Sequence, residues 1–125
     1  MLGDGTAFST FSTDSVEGAT TFYRDVLGLE VETFDAMGPM LTLHLPGGGR
    51  TLIYEKDDHA PATHTVLMFE VADVAATADA LAGHGVALER LDWTDEDGIA
   101  RSPEMPDTAW FKDPAGNWIG IIQSD

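Results

Sequence analysis

Short stretches of alternating polar and apolar residues run through this chain, and stripes of apolar residues at helical spacing interrupt them twice. Met40-Leu-Thr-Leu-His-Leu45 alternates cleanly, so Leu41, Leu43 and Leu45 share one side of a predicted strand and Thr42 and His44 the other. Before it, residues 6–13 are rich in β-formers and predict a first strand. Asp14 or Ser15 then caps a helix, with Glu17 placed to reach back. Val16, Ala19, Phe22, Tyr23, Val26 and Leu27 form that helix's apolar stripe, and Gly28 stops it. Strands over 29–34 and 51–55 complete the first set. After a linker, 57–63, containing Pro61, the pattern restarts with a strand over 64–71. A helix capped by Asp73 and carrying Val74, Ala78 and Leu81 follows, ending at Gly83-His84-Gly85. Strands are expected at 86–91, 108–112 and 118–123.

Offsets make the restart a repeat. Phe8, Phe11 and Val16 recur 58 positions later as Val66, Phe69 and Val74, and the Gly49 turn recurs 67 positions later at Gly116. The nine extra residues fit the acidic excursion Trp93–Asp107. The reading is an α+β fold: one domain, 1–125, of two βαβββ modules, 6–56 and 64–123.

Composition narrows the partners. With 22 acidic and 6 basic residues the formal charge is −16 and the pI near 4.2, which repels phosphate backbones and anionic lipid heads. Neither nucleic acid nor membrane is expected as a partner. No cysteine is present, which removes disulfides, thiol nucleophiles and thiolate metal sites. The hydrophobic share of 43% supports a packed core. No apolar run reaches membrane-spanning length and no basic leader opens the chain, so a cytoplasmic location is expected. No nucleotide loop, hydrolase elbow or metalloprotease motif occurs.

Three stretches, Phe22-Tyr-Arg-Asp-Val-Leu-Gly-Leu-Glu-Val31, His84-Gly85-Val86 and the turn Asp113-Pro-Ala-Gly-Asn117, together resemble the vicinal oxygen chelate superfamily. That superfamily includes glyoxalases, extradiol dioxygenases and bleomycin-resistance proteins. The resemblance implies a curved mixed sheet forming a cup, with the helices outside. In metal-dependent members, His and Glu side chains from different strands hold a divalent ion in the cup. Carried onto this chain, those positions are Phe8, Val66, Ile53 and Gly120, and none of these residue types can ligate a metal. The resemblance therefore implies a member with no metal and no cofactor, holding an apolar or aromatic small molecule as bleomycin-resistance-like proteins do, and assembled as a homodimer. The alternative is a divergent lyase, isomerase or dioxygenase of the same superfamily, and whether any reaction is catalysed stays open at this point.

Strand parity predicts the inward face: Phe8, Thr10 and Ser12; Val66, Met68 and Glu70; Trp118, Gly120 and Ile122; and Trp110. The expected ligand-binding set is Phe8, Thr10, His44, Val66, Met68, Trp110, Trp118 and Gly120, with glycine leaving a gap beside Trp118. His44 and Glu70 are the candidate catalytic bases, and His44, His64 and Glu70 a conceivable new metal set. Tyr54 is expected under the first helix, Arg50 and Arg101 beside local acids, and Asp95-Glu96-Asp97 in a solvated loop or lid.

Overall fold

The computed structural model describes all residues, Met1–Asp125, and they divide into two compact units, Met1–Ala60 and Pro61–Asp125. The first unit opens with a short 3-10 turn, Leu2–Asp4. It then contains β1 (Ser9–Thr13), α1 (Val16–Thr20), β2 (Glu30–Asp35), β3 (Pro39–His44) and β4 (Arg50–Glu55). The second contains β5 (Thr65–Val71), α2 (Val74–Gly83), β6 (Ile99–Ser102), β7 (Met105–Lys112) and β8 (Trp118–Gln123). Each unit folds one four-stranded mixed sheet, in the orders β1-β4-β3-β2 and β5-β8-β7-β6, with one helical segment on one face. The fold is α+β, built of βαβββ modules.

The alternation seen in the sequence decides which face the helix covers. Leu41, Leu43 and Ile53 are fully buried, as is Tyr23 from the helical segment of the first unit, with Val16 and Ala19 nearly so. Phe111, Ile119 and Ile121 are buried in the same way in the second, with Val74 and Leu81 of α2. Ser15 caps α1 by accepting a hydrogen bond from the Gly18 amide at 3.0 Å. Asp73 caps α2 in the same way through the Ala76 amide, also at 3.0 Å. The first helix widens after Thr20, whose hydroxyl bonds back to the Val16 carbonyl, into a π-helical stretch, Thr21–Val26. Gly28 ends it at φ +74°.

Backbone bonding shows the duplication. Lys56 N–H donates to the Thr13 carbonyl as Ser124 N–H donates to that of Val71. The Val16 amide meets the Glu55 side chain as the Val74 amide meets that of Gln123, both at 2.9 Å. The turns also match: Leu45 N–H bonds the Gly49 carbonyl and Gly48 N–H that of Leu45, while Asp113 N–H bonds Asn117 and Gly116 N–H bonds Asp113. Gly116 therefore corresponds to Gly48, 68 positions earlier, and not to Gly49. Three consecutive glycines hide that one-residue slip.

Two expected elements are corrected. Residues 86–91 form no strand; one backbone bond, from the Glu89 amide to the Trp110 carbonyl, ties them to β7. The edge of β7 is taken by β6, which lies inside the stretch expected to be a loop. A tight hairpin at Pro103-Glu104 brings β6 and β7 together, a cheaper closure than a long return. Glu17 does not close a capping box: Ser15 is the N-cap, so Gly18 and not Glu17 stands third after it, and the Ser15 amide meets Thr13 Oγ1 instead.

Candidate ligand-binding site

The face of each sheet away from its helix carries the exposed side chains. In the second unit the β5–β8 ladder contains an irregularity between Thr65 and Leu67, so Thr65 stands opposite Trp118 and Val66 is the extra residue. Three cross-strand rows result: Thr65, Trp118 and Lys112; Met68, Gly120 and Trp110; Glu70, Ile122 and Thr108. Trp110 is held at two points. Its Nε1–H donates to Thr65 Oγ1 at 3.1 Å, and Trp93 stands edge-on to its ring, centroids 6.2 Å apart. Lys112 Nζ lies 4.8 Å from the centroid of Trp118 and pairs with Glu89 at 3.3 Å. Met68 occupies the space beside Gly120, where strand parity predicts a gap: a Cβ on that glycine would come within 2.6 Å of Met68 Sδ.

Chemically this surface is a platform of indole, thioether and one hydroxyl, ringed by an ion pair. Stacking and apolar burial are the interactions that such side chains can offer. Of the expected residues, the structure brings together Met68, Trp110, Trp118 and Gly120, with Glu70 one row away. Thr65, Lys112 and Trp93 join them. Parity drawn through a bulged strand hides Thr65. Trp93 is different: a tryptophan set among acidic loop residues is a sequence signal for a surface with a partner, and in the structure it stands 63% exposed.

In the first unit the corresponding face carries Phe8, Thr10 and His44. Arg50 lies over the Phe8 ring at 4.9 Å rather than beside an acid, and His44 Nε2 meets Glu32 Oε1 at 2.9 Å. Tyr54 lies on this face too, between Ser12 and Met40, and not under α1. Ser12 Oγ and His59 Nδ1 are 2.7 Å apart. The register also corrects one carried-over position. Ile53 is buried on the helix side; the first-unit counterpart of Gly120 is Leu52, which is equally unable to ligate.

No three His, Asp or Glu side chains form a group that could hold a metal ion. The conceived His44, His64 and Glu70 set does not form: His64 lies in a bend before β5 and Glu70 near the other end of that strand, with about 15 Å of strand between. Charge elsewhere is local. Asp95 accepts from the Asp97 and Ile99 amides and from Arg101, which also meets Asp107, so the loop is tied rather than loose. The Ile99 amide, and after it Arg101, hold the Asp95 carboxyl below its ordinary range. A groove of about 640 Å³ between α2 and residues 86–101 has an alanine floor and charges of both signs, Arg90 and Arg101 with Asp79 and Asp97. It belongs to the helix side and shares nothing with the tryptophan platform.

Residues 7–121 match the family described as the Glyoxalase/Bleomycin resistance protein/Dioxygenase superfamily. The chain belongs to that superfamily. Solved structures of this fold align over nearly the whole chain. A superfamily member from Sphaerobacter thermophilus DSM 20745 is 19% identical, with TM-score 0.74, covering 97% of this chain and 99% of that one. TnmS3, described as an antibiotic binding protein from Streptomyces sp. CB03234, is 26% identical with TM-score 0.70, covering 97% and 98%. The fosfomycin resistance protein FosX from Listeria monocytogenes is 13% identical with TM-score 0.72, covering 97% and 93%. Among curated proteins, none matches the sequence. No helix of this superfamily member is long and apolar enough to cross a membrane.

Proposed function

We propose that the chain is a small-molecule-binding protein that holds a flat, apolar or aromatic ligand on the tryptophan platform of its second unit, without metal or cofactor. One observation carries this reading: Trp110 is fixed edge-on by Trp93 and through its Nε1–H by Thr65, a pre-set ring beside the thioether of Met68. The likeness to an antibiotic-binding protein at 26% identity supports the same class. Metal independence rests on the residue types at Phe8, Val66, Leu52 and Gly120, which offer no ligand atoms. We further propose a cytoplasmic homodimer. At a formal charge of −16 per chain, added salt should tighten such a dimer by screening repulsion. Light scattering that shows only monomer at micromolar concentration, with or without salt, removes the dimer.

The test is calorimetric titration of a planar aromatic panel, beginning with 2-naphthol, before and after exhaustive chelation. Saturable binding unaffected by chelation is expected. A flat titration for every compound ends the reading, and binding that vanishes on chelation ends its metal-free part. A second reading rests on the His44–Glu32 pair, an imidazole beside a carboxylate suited to removing a proton next to a carbonyl. It requires deuterium exchange into a small ketone that His44→Ala abolishes; no exchange above buffer discards it.

A further inference from the structure

Resting on the binding reading above, we propose that the space beside Gly120 is a subsite for a short apolar substituent of the planar ligand, with Met68 as the plug that vacates it. Gly120 is not needed for backbone conformation, because its φ lies outside the left-handed region where other glycines of this chain sit. Space explains it instead. An added Cβ would lie 2.6 Å from Met68 Sδ and 2.8 Å from its Cε, so no side chain coexists with Met68 as it stands. What fills the recess is the far end of a flexible thioether, and Met68 as a whole is 43% exposed, so it can withdraw into solvent without disturbing the core.

The recess has a fixed wall as well as a movable plug. Trp110 Cδ1 stands 3.4 Å from the same Cβ position, and Thr65 holds that indole in place. With an indole edge as wall and a thioether as present occupant, the group that suits the recess is a short alkyl chain or a thioether. An anionic substituent is disfavoured, since Glu70 stands one row along the same face, Lys112 on the other side is already paired with Glu89, and the chain carries −16 overall. The first unit has no such device: Leu52 occupies the position of Gly120, between Thr10 and Thr42.

The experiment compares 2-naphthol with 6-propyl-2-naphthol, titrated calorimetrically into wild type, Met68→Ala and Gly120→Ala, each checked for an unchanged melting curve. Burying the propyl carbons, less the cost of expelling the thioether, should favour the propyl compound about fivefold in wild type. Removing the plug should raise that preference to about twentyfold, and filling the recess with a methyl should cut it below about twofold. The same preference in all three proteins overturns the subsite and leaves the binding reading standing. Failure of both compounds to bind wild type overturns the binding reading itself. Should Gly120→Ala melt early, Met68→Leu replaces it: a branched, stiffer plug is expected to lower the preference, and no change from wild type counts against the proposal.

Discussion

Two rows of side chains, one in each unit, show how a repeated frame comes to do different things. Thr10, Leu52 and Thr42 cross the first sheet, and Met68, Gly120 and Trp110 cross the second at corresponding positions. In the first row bulk sits on the central strand with small neighbours. In the second the centre is empty of side chain and the flanking groups supply the bulk. The next rows differ as instructively. Arg50 projects from β4 over Phe8, whereas Lys112 projects from β7 over Trp118, so cation and aromatic have changed places relative to the sheet. Caps, backbone turn bonds and strand order are shared while the exposed rows diverge. On the binding reading proposed above, the fold sets where a ligand can lie, and residues on one face of one unit set what it is.

The largest difference between the units should appear at their turns. Asp113 is buried and accepts from the Ala115 and Asn117 amides and from Asn117 Nδ2, at 2.9 to 3.1 Å. The matching turn of the first unit does without such a side chain, relying on Gly47 and Gly48 at positive φ. Asp113→Ala leaves buried donors without an acceptor and should destabilise by about 3 kcal/mol. Leu45→Ala, at the corresponding position, should cost about 1 kcal/mol or less, since it deletes only part of a half-buried side chain. Denaturant melts of the two variants decide this, and equal costs would mean the turns are interchangeable.

Binding should separate the units next. Trp110→Ala removes the ring that Trp93 and Thr65 position and should weaken 2-naphthol at least about tenfold, or about 1.4 kcal/mol. Thr42→Ala, its first-unit counterpart, should leave the titration unchanged. The reverse result would move the site to the other sheet.

How far can all this be read from the sequence? The Asp113–Asn117 turn is legible because each residue serves a separate local need, whether an acceptor at Asp113, a fixed φ at Pro114 or a positive φ at Gly116. The helix-covered faces are legible because Leu41, Leu43, Ile119 and Ile121 repeat at the period of a strand. What stays hidden depends on partners distant in sequence. The β5 irregularity that presents Thr65 is a property of the pairing with β8, not of the stretch itself. β6 is short and set in acidic surroundings, and only the hairpin with β7 makes it a strand. That Met68 lies in the place left by Gly120 is a rotamer choice, to which alternation is blind.

A smaller test returns to what the units share. Ser15→Ala and Asp73→Ala each delete one N-cap acceptor and should each cost about 1 kcal/mol in thermal or chemical melts. Near-equality is the expected outcome, because both caps contact the third amide after them in the same geometry. A cost confined to one helix would show that the two modules draw on their helices unequally.

The smallest expected effect lies in the excursion that the first unit lacks. Asp95 Oδ1 accepts from the Asp97 and Ile99 amides at 2.8 and 3.0 Å, and Oδ2 from Arg101 Nε at 2.8 Å. These bonds favour the charged carboxylate, the Ile99 amide most, so its folded pKa lies below the ordinary 3.8. For a depressed carboxyl the linked stability is complete above the ordinary pKa and disappears as pH falls through the lower folded value. The loop leading into β6 should thus hold at neutral pH and loosen only in acid. Amide hydrogen exchange measured from about pH 6 down to about pH 2 reads this directly, after correction for the intrinsic pH dependence of exchange. The Asp97 and Ile99 amides should be protected at the upper end and lose protection in acid, ahead of the β7–β8 ladder. Asp95→Asn, which keeps the shape but not the charge, should leave both amides poorly protected throughout and flatten the acid step. Undiminished protection of Ile99 at the acid end, or in Asp95→Asn, would mean that the hairpin alone holds β6 in place and that the carboxylate is incidental.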